Sequence, residues 1–299
     1  MVSIDLIVQQ IINGLSIGAV YALIAIGLTL VFGIMDIINF AHGEFVMLGA
    51  YALFFALAVP GMPYFVAMIV AVGLVSASAV LMERSVFRPL YDRDGLAPMM
   101  ASFGLLLVLQ NAVLIAWGGT PKSVPAPFSN GDLNLLGYTI SYIRLFALVA
   151  TVAMFAGLWA FLLRTKTGTA IRATAQNKQA ALIRGIDTER VNTATFTLSG
   201  VFGAAGGVIY GTMFPIYPTM GLFPMLKAFA AIIIGGLGSV TGALVGGVLI
   251  GIVEAVMPTL IDLTGLIENA SRWRDAFAFL LLIGVLLLKP QGLLGGWQR

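Results

Sequence analysis

The chain has 299 residues, 60% of them hydrophobic and 10% charged, with a formal charge of +3. A soluble domain carries about 25% charged residues, so this sequence has too little polar surface to coat a water-soluble globule, and lipid must be its main solvent. No Lys/Arg cluster is interleaved with aromatics, which argues against a nucleic-acid partner, and the lack of cysteine excludes disulfides and thiolate metal sites.

The opening MVSIDLIVQQIING has no basic start and no small-residue cleavage site, so its apolar run is expected to continue as the first membrane segment. A bilayer-crossing helix needs about 20 mostly apolar residues. Candidates lie near 7–32, 44–58, 63–82, 98–117, 142–163, 193–213, 227–257 and 274–288. The expected fold is an all-α integral membrane protein, a single transmembrane domain over 1–299 with about eight membrane segments. Three segments are irregular: 44–58 is short, 7–32 is long and contains Gly14, Gly18 and Gly27, and 227–257 is interrupted by GGLGS at 235–239.

Basic residues set the orientation. Arg84, Arg88 and Arg93 lie in one loop, Arg164, Lys166, Arg172, Lys178, Arg184 and Arg190 in another, and Lys289 and Arg299 in the tail. The loop at 118–141 holds only Lys122. The first three regions are therefore expected in the cytoplasm and 118–141 outside. The segment 227–257 must then start and end outside, so its glycine break marks a re-entrant hairpin or two short helices. Non-helical backbone at membrane depth is tolerated only beside protein or a water-filled cavity. A weak internal repeat pairs INFAHGEFVMLGAYALFFAL (38–57) with IGGLGSVTGALVGGVLIGIV (234–253). Paired interrupted segments are the best sequence-level pointer to a transporter's substrate region.

Ionisable residues at membrane depth usually face a cavity or a partner. Asp36, Asn39, His42 and Glu44 lie between two apolar runs. Asn39, His42 and Glu44 either line a translocation path or form an interfacial turn capped by Asn39. For His42 alone the expectation is a hydrogen-bonded structural residue, since it is the only histidine and has no metal-ligand neighbour. Lys227 and Glu254 are expected near the interfaces at the two ends of 227–257, with Lys227 snorkelling. Gln110 and Asn111 are expected to bond across helices, or to touch a polar substrate. Gly200, Gly203, Ala204 and Gly207 form one helical stripe, and Gly242, Gly246 and Gly247 another; both are read as packing faces.

The loop RTKTGTAIRATAQNKQAALIRGIDTERV (164–191) predicts a short amphipathic helix, capped by Thr169, running through Ile171, Ala175, Leu182 and Ile183 and ending at Gly185. Its apolar face is poor in large residues, which suits docking into a groove on a soluble partner better than lying on lipid. No G-x-x-x-x-G-K-[ST] loop, no Ser/His/Asp set and no H-E-x-x-H occur, so no catalytic residues, no metal and no cofactor bound by this chain are expected.

Several stretches resemble one family, nearly end to end: NGLSIGAVYALIAIGLTLVFGIMDIINFAHGEFVMLGAY (13–51), MERSVFRPL (82–90), LQN (109–111), RGIDTERV (184–191), KAFAAIIIGGLGSVTGALVGG (227–247) and KPQGLLG (289–295). The chain is similar to LivH-type permeases of the branched-chain amino-acid ABC importers of bacterial plasma membranes. The resemblance implies a second, LivM-type permease that completes a heterodimeric pore, two cytoplasmic ATPase subunits that bind the ATP, and a periplasmic substrate-binding protein. It implies a coupling helix at 169–183 seated in an ATPase, with Thr169, Arg172, Ala173, Ala180 and Gly185 as contact residues. It places Asn39, His42 and Glu44, with Gly235, Gly236, Gly238 and Ser239, in broken-helix regions beside the substrate path. Leucine, isoleucine and valine are the implied cargo, carried by alternating access; related permeases serve urea, short amides, other carboxylates or another small amino acid. A secondary transporter or a passive channel is the rival class.

Overall fold

The computed structural model describes residues 4–91, 93, 95–127, 131–135, 137–264 and 269–294. Its centre is α1 (Ile4–Met35), 32 residues of nearly unbroken apolar sequence. A helix apolar on every face must be covered on every face, and α1 is. It packs against α5 (Tyr142–Arg164), α8 (Thr188–Met213), α9 (Leu222–Gly235) and α10 (Val240–Thr264). The glycines noted within it are contact points. A Cβ on Gly18 would lie 2.8 Å from the Val248 Cα, and one on Gly27 2.7 Å from the His42 ring, so α10 and His42 approach only because no side chain intervenes.

The remaining elements follow in order. They are α2 (His42–Leu57); α3 (Tyr64–Met82), prolonged by a π-turn (Glu83–Phe87) and a 3-10 turn (Arg88–Leu90); α4 (Leu96–Trp117); a hairpin of β1 (Asp132–Leu135) and β2 (Tyr138–Ser141); α6 (Lys166–Gln176) and α7 (Lys178–Ile183) after α5; and α11 (Arg274–Leu288) after α10. Among the described residues six helices are long and apolar enough to cross a membrane: α1, α3 with its extension, α4, α5, α8 and α10. The helices α2, α9 and α11 are shorter.

Side-chain contacts fix which ends coincide. Gln9 at the start of α1 bonds the Thr139 backbone twice, at 2.8 and 3.1 Å, and the Tyr138 hydroxyl donates to Asp5. The start of α1 and the 132–141 hairpin therefore share one end of the bundle. At the other end Arg88 meets Glu189 at 3.4 Å, and the Leu293 amide donates to the Ile234 carbonyl. This basic end gathers the Arg/Lys-rich loops as the sequence predicts; Gly295 and Arg299 of the tail lie outside the described residues.

The 227–257 segment resolves into one short helix, α9, and one of full length, α10. The break between them is a turn at the basic end, where Gly236 (φ 107°) and Gly238 (φ 80°) supply the left-handed backbone and Ser239 Oγ accepts the Gly242 amide at 3.0 Å. This corrects the expectation for Lys227 and Glu254. The hairpin brings them together in the interior, Nζ to Oε1 at 2.5 Å, instead of leaving them at separate interfaces.

The repeat is also differently paired. α1–α2–α3 and α8–α9–α10 form two units of opposite direction: each has a long helix, a reversal, a half-length helix and a returning helix. α2 and α3 pack on α8 as α9 and α10 pack on α1. The counterpart of 38–57 is therefore the region of α9, and not 234–253. The cytoplasmic helix differs too. Thr165, not Thr169, is the N-cap, its Oγ1 accepting the Gly168 amide at 2.9 Å, and the helix breaks at Asn177, which caps α7 through the Ala180 amide. Gly185 does end α7. It sits at φ 79° in a Schellman turn, with Ile186 N bonded to Ala181 O and Gly185 N to Leu182 O.

Candidate permeation site

The two half-length helices start inside the bundle. After Met35 the chain turns at Asp36 (φ 54°) and climbs back along α1 in non-helical conformation to His42. His42 lies beside Ile24, eleven residues back from Met35 and so about 16 Å from the end of α1. From there α2 runs to the end of the bundle opposite the basic loops. In the other unit the chain passes through 214–221 and α9 runs to the basic end. The two N-termini meet back to back: a Cβ on Gly43 would lie 2.7 Å from the Gly221 carbonyl oxygen. Glycine is required at both positions by this close approach.

The irregular stretch before α2 would leave unpaired amides in an apolar interior, and side chains satisfy them. Ser102 of α4 accepts the Phe40 amide, and Asn39 Oδ1 accepts the Ala41 amide, both at 3.0 Å. His42 is wholly buried; Nε2 lies 2.9 Å from the Ile24 carbonyl and Nδ1 3.0 Å from Ser199 Oγ. A carbonyl only accepts, so Nε2 carries the proton and Nδ1 accepts from the serine. The ring thus ties α2 to α1 and α8, the structural role expected of it.

Glu44, in the first turn of α2, is buried and accepts from Gln110 Nε2 of α4 at 3.0 Å. Its second oxygen, and Asn39 Nδ2, have no partner among the described residues. Gln110 in turn lines a cleft of about 240 Å³ with Asn111, Leu114, Gly119, Tyr217, Pro218 and Thr219. The cleft therefore sits where α4 meets the lead-in to α9. α4 packs on little besides α2 and the π-turn. Asn111, on its exposed face, donates to its own helix at Leu107 O and has no cross-helix bond among the described residues. The expectation of a cross-helix bond holds for Gln110; Asn111 leaves an amide at membrane depth on an uncovered surface.

The glycine turn at 235–239 lies apart from this region. It touches α1 at Gly33, nine residues beyond Ile24. Gly235 packs on the Gly242 backbone and Gly236 on Gly292, whereas Gly238 borders a groove at the basic end. Of the residues foreseen for ATPase contact, Thr169 and Ala180 are exposed, Ala173 is half-buried, and Arg172 is turned back onto α5, its Nε donating to Leu162 O at 3.0 Å. Ile183 at the tip of α7 is 86% exposed.

Two polar clusters escaped the sequence reading. At the basic end, Glu83 is buried and receives Tyr91 Oη at 2.8 Å, Thr193 Oγ1 at 3.0 Å and Arg88 Nε at 3.4 Å. This set joins MERSVFRPL to the start of α8. Burial and the bond to the Glu83 carboxylate push the Tyr91 phenol above its ordinary value, so it stays a donor. Nearer the other end, Lys227 binds Glu254, Asp275 (2.7 Å) and the Tyr21 hydroxyl (3.1 Å), and Arg274 reaches Glu254 at 3.0 Å. Four helices are pinned by these charges.

Opposed units with half-helices that meet inside an apolar bundle, beside polar groups on an uncovered face, define a membrane transport protein. The chain belongs to the family of permease components of the branched-chain amino acid transport system, whose profile matches residues 10–286. It is 36% identical to the high-affinity branched-chain amino acid transport system permease protein BraD of Pseudomonas aeruginosa, over 96% of this chain and 95% of that one. It is 33% identical to the corresponding protein LivH of Escherichia coli over the same shares. It is also 28% identical to the probable permease protein LivH of Methanocaldococcus jannaschii, over 93% of this chain and 89% of that one.

Proposed function

We propose that this chain forms one half of the pore of an ATP-driven importer for leucine, isoleucine and valine in a bacterial plasma membrane. The observation that supports it best is the pair of half-helices meeting at Gly43 and Gly221 beside a face of α4 that this chain leaves uncovered. A second, LivM-type permease set against α4 would close the cleft at Gln110, Asn111 and Thr219 into a path. The cargo is a zwitterion. Glu44 offers a free carboxylate oxygen to its ammonium group, and Asn39 a free amide N–H to its carboxylate, once a change of state uncovers them. ATP would be bound by two cytoplasmic ATPases seated on α6 and α7 through Thr169, Ala173, Ala180 and the exposed Ile183. A periplasmic binding protein would deliver the cargo.

Purification of the chain from its native membrane with its companions, and reconstitution in vesicles, tests this. ATP-dependent uptake of leucine that falls at least tenfold in Glu44→Ala, with the complex still assembled, is expected. Uptake that persists without the ATPases, or recovery of the chain alone after crosslinking, overturns the reading in favour of a channel or a secondary transporter.

A further inference from the structure

At the basic end, α5 and α10 both pack closely on α1 and form no comparable contact with each other. The gap between them is a groove of about 780 Å³. Its floor is α1 at Thr29, Leu30, Gly33 and Ile34, its sides are α5 and the start of α10, and α6 closes it at the basic end with Ile171 and Arg172. Two features go together here. The α5 wall carries Trp159 and Leu163, 46% and 49% exposed, which continue the apolar outer surface of α5. The roof carries a guanidinium that is already positioned: Arg172 Nε is fixed to the Leu162 carbonyl, and its two Nη groups have no partner among the described residues.

We propose that this groove binds an anionic glycerophospholipid, with the phosphate on the free fork of Arg172 and an acyl chain laid along α1. An oriented guanidinium presents parallel N–H donors matched to two phosphate oxygens. Basic pockets between membrane helices on the cytoplasmic side are suited to such headgroups. Arg164 and Lys166 stand on the same connection and add positive charge at headgroup level. Trp159 lies five residues from the end of α5, the depth at which an indole favours the boundary between headgroups and chains. The groove runs from charged mouth to apolar floor, the order of a lipid's own headgroup and tail. This goes beyond the transport reading and does not depend on the cargo.

The assembled transporter, washed free of native lipid in mild detergent, is offered vesicles of equal phosphatidylglycerol and phosphatidylcholine, and the retained lipids are counted by native mass spectrometry. Phosphatidylglycerol retention is expected to fall at least threefold in Arg172→Gln and to be unchanged in Lys178→Gln on α7. Equal retention in wild type and Arg172→Gln overturns the proposal. A second measurement is independent of the arginine: Leu163→Cys carrying a benzophenone in the otherwise cysteine-free chain. A crosslinked adduct with the mass of a phospholipid supports the site. A crosslink to another subunit of the transporter gives the groove to a protein partner and ends the lipid assignment.

Discussion

Lys227 and Glu254 show what single residues contribute. Each would be costly alone in an apolar interior, and together they are offset by Asp275, Arg274 and Tyr21. Lys227→Met alone should therefore destabilise the chain by about 3 kcal/mol, because it leaves Arg274 alone to offset the two carboxylates of Glu254 and Asp275. Lys227→Met with Glu254→Leu should recover most of that loss, since replacing a buried pair by apolar groups is often neutral. Thermal unfolding in detergent reads both variants; a double variant less stable than the single one would show that the pair holds more than its own charges. His42→Ala removes two buried hydrogen bonds and leaves a cavity between three helices, and should cost about 3 kcal/mol by the same measurement. That His42 would be hydrogen-bonded was legible, because a solitary histidine with no metal-ligand neighbour usually finds such partners; its place beside the substrate path is a proposal. The Lys227 pair was not, because contact across 27 residues depends on the register of a hairpin that composition does not give.

At the scale of the element, the glycine stripes were the clearest signal. Gly200, Gly203 and Gly207 face α3 or α2, and Gly242, Gly246 and Gly247 face α9 or α1, as packing faces should. Gly18→Leu is expected to prevent α1 and α10 from closing and to abolish accumulation of folded protein, whereas Gly73→Leu, with open space around it, should be tolerated; quantitative immunoblotting of membranes separates the two. Capping was half legible. Thr165 and Thr169 are the same residue type four positions apart, and only the abrupt end of α5 at Arg164 selects the first. The paired repeat was misaligned for a physical reason. Inverted units share an arrangement of long and half-length helices, while the side chains that each presents to the core differ, so matching small-residue patterns finds α10 before α9.

The whole molecule follows from the bias of basic residues together with the helix directions. The sequence left the side of the N-terminus open. Contacts of Gln9 with Thr139 now set the start of α1 at the end opposite the basic loops, hence outside the cell by the positive-inside rule. Single cysteines test this without background, as the chain has none. Leu6→Cys should react with a membrane-impermeant maleimide in intact cells, and Ile183→Cys only after the membrane is opened. Reversed labelling would invert the assignment and move α7 away from any cytoplasmic ATPase. The cleft beside Gln110 could be named only in part from sequence, because Tyr217, Pro218 and Thr219 reach it from the lead-in to α9, a segment far along the chain.

The meeting of Gly43 with Gly221 has an electrical consequence. Gly43 and Gly221 bring the two half-helix starts into backbone contact, so a state that admitted water to this point from both ends would drop the membrane voltage across about one peptide of protein. A small ion slipping through it would move its full charge across the field, at about 2.3 kcal/mol per 100 mV, whereas a zwitterion carries no net charge and its passage is indifferent to voltage. Two glycines in contact make the thinnest insulator a polypeptide can build, and ionic leak is the quantity to watch when either one is replaced.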